Sequence, residues 1–126
     1  MINKRKNTRE IGREGEKIAL EFLVQKDYQI LDTNYQKRCG ELDIIAKTGN
    51  VVVFVEVKYR RSLRVSTPEE SVTQKKRDRM IKTAETYIYE KGGELGDVNY
   101  RFDVVGIRKI KGETTISHYE NVFILG

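Results

Sequence analysis

Asp43, Glu56 and Lys58 are the residues of this chain whose types and spacing could do chemistry, and all three lie in one stretch, GELDIIAKTGNVVVFVEVK, from Gly40 to Lys58. Gly49-Asn50 at its centre suits a two-residue hairpin turn, because glycine supplies a positive φ and asparagine tolerates one. With those two residues as the loop, Thr48 faces Val51, and counting outward sets Asp43 opposite Glu56 and Glu41 opposite Lys58. The four polar side chains then share one face, and Leu42, Ile44, Val53, Val55 and Val57 form an apolar set on the other. A three-residue loop would instead move Asp43 to the face opposite Glu56.

Two carboxylates directly opposite on a sheet would have Cβ atoms roughly 4.5–5.5 Å apart, a destabilising arrangement. Unit charges about 4 Å apart repel by about 4 kcal/mol at an effective dielectric of about 20. A divalent cation between Asp43 and Glu56 reverses the sign of that interaction, and hard cations such as magnesium prefer oxygen ligands. Lys58 shares the face and reaches the same space. The plain alternative is a solvated polar face of an edge hairpin, with Lys58 pairing with Glu41.

The elements that must position this hairpin follow from periodicity. Ile11, Gly15, Ile18, Ala19, Phe22 and Leu23 fall on one stripe of an amphipathic helix from about Thr8 to Lys26, with Glu16 beside the stripe and small residues that suit close packing on a sheet. Asp27 ends the helical region, and Tyr28 to Asn34 reads as a first strand. After the hairpin, Thr67-Pro68-Glu69-Glu70 reads as a helix start, and Thr73 as the cap of a longer helix from about Gln74 to Lys91. Ile81, Ala84, Ile88 and either Tyr87 or Tyr89 form its inner stripe. Its first turn carries Lys75, Lys76 and Arg77, which oppose the helix dipole and so point to an anion. Gly92, Gly93 and Gly96 read as a loop, Asn99 to Ile110 as a strand, Lys111-Gly112-Glu113 as a turn, and Thr114 to Tyr119 as its partner, with Asn121 to Leu125 closing the core.

One domain is expected from 126 residues, with residues 1–7 as a flexible basic arm. The single cysteine, Cys39, excludes an internal disulfide framework and fits a reducing cytoplasm. No signal peptide or membrane span is visible, so a cytoplasmic protein is expected. The net charge of +5 is concentrated. Lys58, Arg60, Arg61 and Arg64, then Lys75, Lys76, Arg77 and Arg79, outnumber Glu69, Glu70 and Asp78 between residues 58 and 79. A basic track beside a carboxylate site suits a polyanion such as nucleic acid; the plain alternative is a solvated helix surface. No P-loop or dinucleotide fingerprint is present, which gives no support for a nucleotide cofactor. Asp103 reads as a structural carboxylate for Arg101 or backbone donors, with a distant place in the site as the alternative, and His118 as a surface or hydrogen-bonding side chain.

An acid, twelve intervening residues and then Glu-Val-Lys (Asp43, Glu56, Lys58) resembles the PD-(D/E)xK motif of restriction-endonuclease-like nucleases. GREGEKIA, GELDIIA, FVEVKYR, KKRDRMIKTAETYI, RFDVV and ENVF together resemble the YraN family of small bacterial proteins, over nearly the whole chain. That family is similar in fold to archaeal Holliday-junction resolvases, which are metal-dependent dimeric nucleases. The resemblance implies an α/β fold of the restriction-endonuclease-like kind, a central mixed sheet flanked by helices. It implies a homodimer and a magnesium- or manganese-dependent endonuclease that hydrolyses phosphodiester bonds in DNA, with branched DNA suggested by fold analogy alone. Asp43, Glu56 and the carbonyl of Val57 would hold the metal, Lys58 would be the catalytic lysine, and Glu16 would match an acid that resolvase-like proteins carry on their first helix. Arg60, Arg61, Lys75 and Lys76 would hold phosphates, and Glu41 would partner Lys58. Leu42 stands where the motif's name has proline, and Tyr59 where a small hydroxyl residue is familiar. The competing reading is a non-catalytic nucleic-acid-binding module on the same fold.

Overall fold

Residue pattern and sheet geometry agree most directly in β3, Val51–Arg60, whose run VVVFVEV is apolar at successive rather than alternate positions. Such a strand must be covered on both faces. In the computed structural model, which describes residues 8–60 and 72–123, it is. Val52 and Phe54 belong to one core cluster and Val53 and Val55 to the other, on opposite sides of a five-stranded sheet. The strands run in the order β1 (Gln29–Lys37), β2 (Gly40–Thr48), β3, β4 (Asn99–Ile110) and β5 (Glu113–Phe123). β3 and β4 are parallel and the other neighbours antiparallel, so the sheet is mixed. This is an α/β fold consistent with a nuclease-like domain.

Helix α1, Thr8–Gln25, covers one face with Ala19 and Leu23, and ends where Asp27 turns to φ 67° and the Tyr28 N–H bonds back to the Leu23 carbonyl. Helix α2, Gln74–Leu95, crosses the other face between β3 and β4 and buries Met80, Thr83, Ala84 and Tyr87. Tyr87, not the 91% exposed Tyr89, supplies the inner tyrosine, stacking edge-on against Tyr35 and Phe54. Ile81 and Ile88 flank that stripe as partly buried side chains. Among the described residues, no helix is long and apolar enough to cross a membrane.

Three expectations are corrected. The loop expected at Gly92-Gly93 is helix: α2 runs through both glycines, Gly92 packs near Ile88 and Tyr100, and the chain leaves the helix only at Gly96, φ 76°. The low helix propensity of glycine does not end the helix here. The segment expected at Thr114 to Tyr119 and the described part of the last one, Asn121 to Phe123, are one strand, β5, whose register against β4 shifts between Phe102 and Val104; the rest of the last segment lies outside the described residues. The hairpin register holds from Thr48↔Val51 to Ile44↔Val55 and stops there, so Asp43–Glu56 and Glu41–Lys58 are not ladder pairs. Leu42, expected beside Ile44, instead joins Ile45 in the α2-side cluster. β2 has by then left β3, while its pairing with β1 continues to Lys37↔Gly40. The expected basic arm at 1–7 and helix start at Thr67 lie outside the described residues.

Candidate metal centre

The site lies where β2 and β3 part. Asp43 sits at the parting and its Oδ2 accepts the Val57 N–H at 2.9 Å, replacing a backbone partner that β2 no longer offers. Alternation along β3 puts Glu56 and Lys58 in the row of Val52 and Phe54, facing α2. Glu56 is only 4% exposed. A carboxylate so enclosed needs cations, and it has two on one oxygen: Lys58 Nζ lies 3.5 Å from Oε1, and Lys76 Nζ donates to the same atom. Lys76 is held there by the start of α2, where the Thr73 side chain caps the Lys76 N–H at 3.2 Å.

Glu16 reaches the same place from α1. Gly15 makes this approach possible: a Cβ there would lie 2.9–3.2 Å from the ring and Cβ of Tyr59 on β3. The Tyr59 hydroxyl and the Lys109 ammonium each meet Glu14 Oε1 at 3.2 Å, tying the same turn of α1 to β3 and β4. Carboxylate oxygens of Glu16, Glu41 and Asp43 all come within 4.8 Å of one another. Glu41, Asp43 and Glu56 also line a cavity of about 400 Å³ whose remaining wall is Gly40, Thr73, Lys75, Lys76, Arg79 and Met80.

The electrostatics follow from this crowding. Burial first, then the negative charges of Glu56 and Glu16, push the Asp43 carboxyl up to about 7, against the lowering effect of the Val57 N–H. Burial, then the neighbouring Lys76, lower Lys58 despite the attraction of Glu56. For Lys76 burial acts downward, but the hydrogen bond and charge of Glu56 raise it overall. The clustered donors are all carboxylate oxygens, which suits magnesium or manganese and offers no sulfur or imidazole ligand of the kind zinc prefers.

The chain as a sequence matches the family model described as "Uncharacterised protein family UPF0102" over residues 15–107. A UPF0102 protein of Caldicellulosiruptor saccharolyticus is 42% identical over 119 residues, covering 93% of this chain and 99% of its own. One from Carboxydothermus hydrogenoformans is 39% identical over 116 residues, 92% of this chain and 97% of its own. The chain belongs to UPF0102, the YraN family. A further UPF0102 relative, from Caldicellulosiruptor bescii, is 47% identical over 102 residues, 80% of this chain and 84% of its own. The UPF0102 match starts at Gly15, the helix position pressed against Tyr59, and spans Glu16, Glu41, Asp43, Glu56, Lys58 and Lys76.

Of the residues expected from sequence, Glu16, Asp43, Glu56 and Lys58 converge. Val57 is tied to Asp43 through its N–H. Glu41, expected to partner Lys58, lies instead with Glu16 and Asp43, while Lys58 turns to Glu56. Lys75 lines the cavity, Arg60 is exposed at the end of β3, and Arg61 lies outside the described residues. Lys76, expected on phosphate, is engaged by Glu56. Arg79 on the cavity wall was counted in the basic track but not named as a phosphate contact; its place one turn beyond Lys75 on the helix was the available signal.

A second acidic group is different in kind. Asp103, His118 and Glu120 also cluster, but the fully buried Asp103 is already satisfied. Arg101 donates to both its oxygens at 2.9 Å, His118 Nε2 lies 2.7 Å from Oδ2, and the Asn121 N–H donates at 3.0 Å. It fills the register shift between β4 and β5, a structural role as expected from the sequence.

Proposed function

We propose that this protein is a magnesium- or manganese-dependent endonuclease that hydrolyses phosphodiester bonds in DNA. The observation that carries the reading is a cavity with a basic wall lined by Glu41, Asp43 and Glu56, with Glu16 clustered on Glu41 and Asp43 and Lys58 beside Glu56. Asp43 and Glu56 would hold the ion, with Glu16 and Glu41 completing the oxygen set. A bound magnesium or manganese supplies Lewis-acid activation of water and neutralises charge on the phosphate. Lys58, whose ammonium is lowered by burial, is suited to orient the attacking water and accept or share its proton. Lys75 and Arg79 on the cavity wall would hold the backbone on either side of the scissile bond without reading bases.

The test is a cleavage assay with magnesium and with manganese on single-stranded, duplex, flap and four-way-junction DNA. Cutting that needs the ion and disappears in Asp43→Ala supports the reading; salt-sensitive binding without cutting of any of these substrates replaces it with a non-catalytic binding module.

A further inference from the structure

Glu56 Oε1 is shared by two ammonium groups that differ in how they are held. Lys58 is two residues away on the same strand, 21% exposed, and 3.5 Å from the oxygen. Lys76 arrives from another element, is 40% exposed, and makes the closer contact. Its backbone sits in the first turn of α2, where a positive charge is disfavoured by the helix dipole, so helix stability does not explain a lysine here. A lysine is a point charge on a four-carbon stem, able to leave one anion for another without moving the backbone.

We propose that Lys76 is the built-in counter-ion of this pocket, standing on Glu56 where a divalent ion takes its place, so that metal entry and release of the Lys76 ammonium are one exchange. The proposal rests on the metal reading above. An ion ligated by Glu56 and the ammonium of Lys76 are like charges competing for one carboxylate, and the more exposed partner is the one that can yield. The released ammonium stays on the cavity wall between Lys75 and Arg79, where an incoming phosphodiester replaces Glu56 as its anion. Lys76 thus keeps an enclosed carboxylate paired before metal arrives and adds a cation to the substrate side afterwards.

The experiment is calorimetric titration of manganese alone into the full chain carrying Lys76→Met, with Lys75→Met as the control for loss of one charge near the pocket without loss of the Glu56 contact. Lys76→Met should bind manganese about tenfold more tightly than wild type, the scale of one charge-assisted contact no longer competing. Lys75→Met should change affinity by less than about twofold, as expected of an exposed charge screened by solvent. Lys76→Gln, which keeps a donor for Glu56 and so protects the fold, should tighten binding in the same direction. No tightening in either Lys76 variant, or equal tightening in Lys75→Met, overturns the exchange. The metal reading is tested separately: if wild type binds no manganese, or Asp43→Asn binds as well as wild type, that reading fails. If wild type binds and Asp43→Asn does not, a flat Lys76 result overturns the exchange alone.

Discussion

Asp43 Oδ2 accepts the Val57 N–H at 2.9 Å, so the acid at the head of the site also closes the gap where β2 leaves β3. One carboxylate thereby has a structural duty and a chemical one, and substitutions separate them. Asp43→Asn keeps an oxygen for Val57 and should retain the fold while losing manganese binding. Asp43→Ala should lose both the bond and the binding, with a lower unfolding midpoint, checked by calorimetry and thermal denaturation followed by circular dichroism.

Lys58 touches Glu56 but closes no gap in the sheet. Lys58→Ala should leave metal affinity within a few-fold of wild type and reduce cleavage by about 10²–10⁴, the range for losing a positioned acid or base. Single-turnover cleavage at saturating magnesium measures this; wild-type rates would remove Lys58 from the reaction.

The Asp43 carboxyl is raised from 3.8 to about 7, so in chelator its neutral form is the stable one. Its stability contribution is fully present below pH 3.8 and is lost as pH rises through about 7. Unfolding midpoints in chelator should therefore carry a downward component across that window, absent in Asp43→Asn. Manganese affinity should rise over the same window, since protons and metal compete for one carboxylate.

Asp103 has the opposite sign. Burial alone would raise it, but His118, Arg101 and the Asn121 N–H lower its carboxyl below the usual 3.8. Its contribution is present above that value and is lost as pH falls through the depressed one. Asp103→Asn should cost about 2–4 kcal/mol near neutral pH, because Arg101 keeps some solvent access, and should flatten the acid limb of the stability curve. Acid titration followed by circular dichroism checks both.

Gly15→Ala places a Cβ 2.9–3.2 Å from Tyr59. The helix or the ring must shift, at about 1–3 kcal/mol, and Glu16 shifts with the helix, so manganese affinity should fall as well. Tyr59→Ala in the same chain should recover much of the loss, and a double-mutant cycle in denaturant measures the coupling.

Much of the hairpin was legible because a two-residue turn leaves one register: Thr48↔Val51 through Ile44↔Val55 follow by counting from Gly49-Asn50. Counting failed at Leu42 and Glu41 because a two-strand argument does not contain β1, whose pairing continues beyond the point where β3 is left behind. Gly92 and Gly93 read as loop because local propensity does not register the Tyr100 side chain of β4, which lies against α2 at Gly92. The basic first turn of α2 pointed to an anion, and the anion found on Lys76 is Glu56, twenty residues back in the same chain. Asp103 was readable through Arg101 two positions away on one strand; His118 and Asn121 depended on the β4–β5 register shift, which alternation does not encode.

The Glu56–Lys76 pair has a consequence for the chain as a polymer. It joins β3 to the start of α2, the helix through which the crossover required by the parallel β3–β4 pairing passes. A contact between residues twenty apart shortens the loop that must otherwise be closed by the sheet and helix alone, and lowers the entropy cost of docking α2. Whatever takes Lys76 from Glu56 also undoes that stitch, so amide protons at the first turn of α2 should exchange faster once it is gone.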